Sequence, residues 1–472
     1  MTGRPARAPK KFDRSIVEGP LPRAVWRLAW PTMLQNMVGG LQGIVDHAMV
    51  GHYVGHTGNA AIGVSMQLFI LVIVFVVSVF TGMGVLVARF AGAGDTDKVN
   101  RAVYQAFLTA VFMAVAVMAP IGYLLAPWFL TLVNAAPEVQ VEALPYIRIM
   151  FVFSIGMLIY FMMSGALRAA GDAQTPLRLG ILMTALNVVL NVVFIGGLGP
   201  IPAMGTTGAA IGTAIAGILT AVVFMWLLLT HRLVIRFPES MSWRPDWHII
   251  RELFRFGLPT GVQGVVMNLA GVLLFRFIGS LEHSAEAQAA YAVGYTELFS
   301  LVTWTSVGLM GATAAVAGQN LGAGHPDRSA QAAFVAARVG LGLAAVIGVL
   351  FLVAPRLLLG FFALDEGVGY ELGRQLLAYL AVSGLFVTVA LTYTGGLQGT
   401  GDTRSPLYIS IVSQVVVPIG LCTYFSMTRG LQPADIWLAI VLGHATRALL
   451  SVLRFRQGKW RDIAVDIRPA RA

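Results

Sequence analysis

The chain has 472 residues, of which 57% are hydrophobic and only 11% charged, whereas a soluble domain carries about a quarter charged. Its net charge of +10 needs no nucleic-acid partner, because membrane topology and contact with anionic lipid headgroups account for it. One cysteine, Cys422, excludes a disulfide framework or a cysteine metal site within a single chain.

In chain order, the residues from Met1 to Pro22 are basic and lack an apolar core, so they are not read as a signal peptide. Apolar runs long enough to cross a bilayer then recur to near the end. Breaks at glycine, proline and charged clusters place spans at about 25–47, 62–88, 102–126, 143–168, 177–198 and 207–230. A second set follows at about 252–279, 287–316, 330–354, 373–398, 406–428 and 433–455. Lipid offers the backbone no hydrogen-bond partners and the runs far exceed a barrel strand, so the spans are predicted to be helices.

The two sets are copies. Leu167-Arg-Ala-Ala-Gly-Asp-Ala-Gln-Thr-Pro176 returns as Leu397-Gln-Gly-Thr-Gly-Asp-Thr-Arg-Ser-Pro406, an offset of 401 − 171 = 230 residues. Gly92-Ala-Gly94 with Asp97 keeps that offset to Gly322-Ala-Gly324 with Asp327. Trp30-Pro-Thr and Leu258-Pro-Thr are offset by 258 − 30 = 228. Such a duplication in a membrane protein points to a transporter working by alternating access. The predicted fold class is an all-α polytopic membrane protein: twelve transmembrane helices in two six-helix bundles related by a pseudo-two-fold axis along the membrane normal. Residues 1–230 form the first bundle with its basic arm, 231–249 a cytoplasmic linker with Pro238, Pro245 and two tryptophans, and 250–472 the second bundle with its basic tail.

Orientation follows from Lys and Arg. The arm holds Arg4, Arg7, Lys10, Lys11 and Arg14, the connector and its flank Arg232, Arg236, Arg244, Arg251 and Arg255, and the tail Arg454, Arg456, Lys459 and Arg461. The opposite loops 48–61, 127–142 and 196–206 carry none, which puts both termini on the cytoplasmic side of a plasma (inner) membrane. The Gly-Asp-x-x-(Thr/Ser)-Pro elements then fall at cytoplasmic turns. Gly171 and Gly401 suit the left-handed end of one helix, Asp172 and Asp402 the cap of the next, and Pro176 and Pro406 its first turn. Gly92–Gly94 and Gly322–Gly324 read as the turns after the second and eighth spans.

Three sets of residues together carry a family resemblance. They are Val45-Asp46 with Met49-Val-Gly51; the Leu167–Pro176 element followed by Asn187-x-x-x-Asn191 and Gly208-Ala-Ala210; and Gly318-Gln-Asn-Leu-Gly-Ala-Gly324. From about residue 20 to 455 the chain resembles the multidrug and toxic compound extrusion family of cation-coupled efflux transporters. The resemblance implies a central cleft facing alternately inward and outward. It also implies export of amphipathic, often cationic small molecules in exchange for protons or sodium ions, with no cofactor.

Coupling requires a group within the membrane that changes protonation or binds a cation, and intramembrane carboxylates are rare enough for each to be a candidate. Asp46, toward the outer end of the first span, matches the family position associated with coupling; the alternative is a capping or ion-paired Asp near the interface, with His47 as partner. Asn187 and Asn191 are four apart and share a helix face, at a depth Asp46 can reach, and Thr213 of the sixth span falls in the same outer half. The resemblance implies that Asp46, Asn187, Asn191 and Thr213 form the cation site of the first bundle. Some members carry Asp where this chain has Asn191, so Asp46 supplies the only charge. The oxygens of Asp46, Asn187 and Asn191 suit a sodium ion or a hydrated proton site alike; interhelical hydrogen bonding is the competing role for the amides and Thr213.

Glu297 is the second candidate carboxylate, as proton carrier or partner of a cationic drug, against a structural pair with Arg276. Tyr291, Tyr295 and Trp304 are candidate substrate contacts through cation–π interactions, though membrane aromatics also serve as packing and interface anchors. The stretches Gly264–Asn268 and Phe386–Thr392 lack the carboxylates that some relatives place on helices 7 and 10. A sodium site of that kind in the second bundle is therefore not expected, and proton coupling through Asp46, helped by Glu297, is preferred. His444 and Arg447 are read as structural or near the cytoplasmic rim.

The nearest alternative is a lipid-linked precursor flippase of the same broad superfamily, which calls for a strongly cationic cleft; Arg276 is the only basic residue placed well inside a span. An enzyme is not expected. The eight histidines are scattered, with no His-Glu-x-x-His, no Gly-x-Ser-x-Gly and no Walker loop. The expected partners are small amphipathic molecules and membrane lipids, and the protein is expected to act as a monomer.

Overall fold

A computed structural model of the chain describes residues 12–237 and 244–467. Arg4, Arg7, Lys10 and Lys11 of the basic arm, and Pro238 and Trp243 of the connector, lie outside the described residues. The described chain is helical, with no strand beyond one isolated bridge between Leu198 and Ile201.

The long helices are α1 (Leu21–Tyr53), α2 (His56–Ala93), α3 (Thr96–Leu132), α4 (Pro137–Val152 and Ile155–Ala169), α5 (Gln174–Gly196) and α6 (Gly205–Leu229). They continue as α7 (Trp247–Ile278), α8 (Ser284–Gly322), α9 (Pro326–Val353), α10 (Gly367–Thr400), α11 (Arg404–Thr428) and α12 (Pro433–Arg456). Ten are apolar and long enough to cross a membrane, and α4 makes an eleventh when its halves, bent by 50°, count as one span. The twelfth is α1, whose 33 residues extend about 50 Å at 1.5 Å per residue. Its hydropathy is diluted by Arg23, Arg27, Gln35, Asn36, Gln42 and Asp46.

Each span keeps the predicted location, and most run longer. The second was expected at 62–88 and runs His56–Ala93. An apolar run marks only the part of a helix inside hydrocarbon, and the backbone bonds continue into the interfaces, where polar side chains are wet. Three helices contain a π-helical turn, Met113–Met118 in α3, Ala292–Leu298 in α8 and Ile411–Val416 in α11. Side-chain periodicity does not mark them.

The duplicated turns fold alike. Gly171 and Gly401 have φ of 98° and 105°, which only glycine adopts without strain. Asp172 Oδ1 accepts from the amides of Gln174 and Thr175 at 3.1 and 3.0 Å, and Asp402 Oδ1 from that of Ser405 at 3.2 Å. Pro176 and Pro406 then sit in the first turns of α5 and α11. Asp402 Oδ2 also accepts from Arg454 Nε at 2.9 Å, a bond Asp172 has no counterpart for among the described residues. Gly94 and Gly324, with φ of 75° and 80°, turn the chain after α2 and α8.

Two compact units emerge. Among the described residues, the first comprises 12–18, 38–237, 244–255 and 466–467; the second comprises 19–37 and 256–465. In the first, α3 holds the described ends of the connector. Asn100 Oδ1 accepts from the Arg236 amide, Gln105 bonds both the Arg244 carbonyl and the Asp246 amide, and Arg101 pairs with Asp246 at 3.2 Å. In the second, α10 runs through the centre with most of its side chains buried. Gly395 and Gly399 lie against the backbone of Met310 and Ala314 on α8, where a β-carbon has no room.

Candidate functional site

Three helices of the first unit build a polar cluster inside an apolar bundle. α1 supplies Asp46, α5 supplies Asn187 and Asn191 one turn apart, and α6 supplies Thr213. Both asparagines are fully buried and Asp46 is 7% exposed. Buried polar groups at this depth persist only when they bond each other, and these do. Asn191 Nδ2 donates to Asp46 Oδ1 at 2.6 Å and to Asn187 Oδ1 at 3.3 Å, and Asn187 Nδ2 donates to Thr213 Oγ1 at 2.9 Å. The chain of bonds runs carboxylate, amide, amide, hydroxyl across the three helices. His47, the alternative partner for Asp46, instead faces Asn59 with Nδ1 3.4 Å from Oδ1.

One acceptor is left over. Asn191 Oδ1 is buried and has no hydrogen-bond partner among the described residues. Together with the Asp46 carboxylate, Asn187 Oδ1 and Thr213 Oγ1, it makes an oxygen set of one negative charge, the donor chemistry of a proton or a hard monovalent cation.

Two neighbours of the cluster escape a reading of motifs. Gly212 lies so close to Asn191 Oδ1 that a β-carbon there would occupy the amide's space. It precedes Thr213 in a helix already rich in glycine, so nothing local singles it out. Tyr146 of α4, 2% exposed, is an electrostatic neighbour of Asp46. Its approach depends on how α4 packs, which no spacing in the chain reports.

The other candidates lie in the second unit. Glu297 sits on the π-helical turn of α8 with an exposed side chain, and it forms no ion pair among the described residues, with Arg276 or otherwise. It belongs to the second unit and the Asp46 cluster to the first. Tyr291 and Tyr295 stack with centroids 4.9 Å apart and planes 8° apart, and Trp437 of α12 stacks on Tyr291 at 6.3 Å and 8°. Trp304 is half-buried one turn beyond Ser300, its carbonyl accepting from Asn36 Nδ2 at 3.3 Å. It is not part of the stack.

The chain is similar to known proteins along nearly its whole length. The MatE family model matches residues 31–193 and 259–423, one match per repeat. A probable multidrug resistance protein NorM of Thermotoga maritima is 28% identical over 94% of this chain and 94% of its own length. Another probable multidrug resistance protein NorM, from Deinococcus radiodurans, is 30% identical over 92% of this chain and 94% of its own. Among solved structures, an outward-facing multidrug resistance MATE family transporter of the MOP superfamily superposes with a TM-score of 0.84, covering 95% of this chain and 98% of that one at 21% identity.

Proposed function

As the chain belongs to the MatE family, we propose that it is a cation-coupled antiporter that exports amphipathic, often cationic compounds across the plasma (inner) membrane by alternating access. The observation that carries the coupling reading is the buried bond from Asn191 to Asp46, with Asn187 and Thr213 behind it. An ionised Asp46 is a good acceptor for the Asn191 amide. Protonation removes the charge that makes that bond strong and turns one carboxyl oxygen into a donor. A proton arriving at Asp46 therefore changes the preferred packing of α1 against α5 and α6, which is what a coupled carrier needs from its ion. Sodium would use the same oxygens. The proton is preferred because Gly264–Asn268 and Phe386–Thr392 lack the carboxylates with which some relatives build a sodium site in the second bundle.

The export of drug-like cations rests on the relatives, which are named as probable multidrug resistance proteins, and on an aromatic set in the second unit suited to flat or cationic molecules. Glu297, exposed and two residues along α8 from Tyr295, is the carboxylate assigned to a cationic substrate in this reading.

The test uses purified protein in liposomes loaded with a fluorescent cationic dye, under an imposed pH gradient and then a sodium gradient. Wild-type protein is expected to move dye under the pH gradient, and Asp46→Asn to fall to the leak rate while eluting as a folded monodisperse species. Full transport by Asp46→Asn would overturn the coupling assignment. No dye movement by folded wild-type protein under either gradient would overturn drug export in favour of a lipid-linked substrate.

A further inference from the structure

The second unit carries a buried arginine with nothing to bind. Arg447, in the middle of α12, is 6% exposed, yet it has no ion pair and no hydrogen bond among the described residues, and its Nε is a buried donor without an acceptor. An arginine that merely snorkels keeps its head at the surface; this one does not. An ionisable group held inside a membrane bundle at such a cost marks a site, and its ligand follows from what surrounds it.

His444, one turn earlier on the same face, is 3% exposed, with Nδ1 2.5 Å from Ser383 Oγ on α10. With the serine hydroxyl donating to Nδ1, the neutral ring carries its proton on Nε2, a second donor with no partner. The ring lies nearly parallel to Phe299 and Tyr295, at 6.0 Å and 19° and at 6.5 Å and 12°. Tyr295, half-buried, is an electrostatic neighbour of Arg447, and its hydroxyl has no hydrogen-bond partner among the described residues.

Charged groups on the surrounding elements do not complete the set. Glu297 on α8 is exposed, Asp435 at the start of α12 pairs with Arg429, and Asp402 at the end of α10 pairs with Arg454. One fixed positive charge, a ring N–H and a phenol hydroxyl are thus neighbours, with no carboxylate among them and no hydrogen bond between them. We propose that Arg447, His444 and Tyr295 form a binding site for a small anionic group, a carboxylate or an inorganic monoanion. The adjoining stack of Tyr291, Tyr295 and Trp437 offers the aromatic body of a carboxylate an apolar face. The site lies within one unit, and its test reads binding rather than transport, so it stands or falls apart from the export reading.

The experiment follows the thermal unfolding of the purified full chain in a buffer whose only other anion is methanesulfonate, titrated separately with sodium benzoate and sodium bromide. A ligand that binds only the folded protein raises the melting temperature saturably. Benzoate is expected to do so in wild type. Arg447→Gln should raise its apparent Kd at least about tenfold, the scale of a lost charge-assisted hydrogen bond. Tyr295→Phe should raise it a few-fold, and Arg276→Gln should leave it unchanged. Bromide stabilising as well, or alone, with the same dependence on Arg447 would identify an inorganic anion as an occupant. If Arg447→Gln does not fold, Arg447→Lys, which keeps charge but loses the planar fork, and Tyr295→Phe carry the comparison. No saturable stabilisation by either probe, or equal stabilisation in wild type and every folded variant, would overturn the site.

Discussion

Gly212 has no side chain, and the amide oxygen of Asn191 fills the place where one would be. A single methyl there must displace the residue that bonds Asp46. Gly212→Ala is therefore expected to cut gradient-driven dye efflux at least about tenfold, the equivalent of one hydrogen bond to a charged group, while the protein still elutes as folded. Wild-type efflux by that variant would mean the amide can shift without cost. The duplicated caps offer a comparison inside one molecule. Asp172 and Asp402 each cap a helix, an interaction worth about 1 kcal/mol, but only Asp402 also holds Arg454, with Nη2 at 2.7 Å from its carboxylate. Asp402→Ala should lower the melting temperature more than Asp172→Ala, because it leaves a half-buried guanidinium unpaired as well. At this scale the chain was informative wherever a residue's role is local. The caps, the left-handed glycines and the Asn187–Asn191 spacing were legible because each depends on neighbours within one turn.

Helices in lipid gain little by hiding apolar side chains from one another, so they pack where small residues let backbones close. Gly395 and Gly399, four apart on α10, are that contact with α8, and Gly156 of α4 meets the backbone of Gly217 on α6. Gly399→Leu should destabilise the protein by about 1–3 kcal/mol, the usual cost of overpacking, read as a fall in melting temperature in detergent. Gly342 on α9 is the control, since a β-carbon there meets nothing within 4 Å, and Gly342→Ala should leave the melting temperature unchanged or raise it. The existence and order of the spans could be read from apolar runs. Their ends could not, nor could the bend in α4 or the π-helical turns, because those follow from the packing of neighbours rather than from composition. The turn that carries Tyr295 and Glu297 is one of them, and it helps set which side of α8 each residue faces.

For the molecule as a whole, the strongest prediction concerns sidedness. The distribution of Lys and Arg predicts the connector in the cytoplasm and the α3–α4 loop outside. Cys422 is the only cysteine and is buried, so Cys422→Ser provides a background for single reporters. A membrane-impermeant maleimide on intact cells should label Ala136→Cys and should label His248→Cys only after lysis; both positions are exposed. The reverse pattern would invert the topology and the direction of transport with it. The sequence by itself determined that this is a duplicated helical membrane protein, from hydropathy and a 230-residue repeat, and that it belongs to the MatE family, from its motifs and the family match; all are one-dimensional signals that survive without coordinates. The family resemblance carried by its motifs also pointed to Asp46, Asn187, Asn191 and Thr213, and helical period and span depth agree with placing them at one level. Only the tertiary structure decided that Asn191 bonds Asp46, that Gly212 makes room for it, that Glu297 is exposed with no ion pair among the described residues, and that Arg447 is buried without a hydrogen-bond or ion-pair partner among them. Those facts depend on rotation of each helix about its own axis, and that rotation is set by packing between segments far apart in the chain.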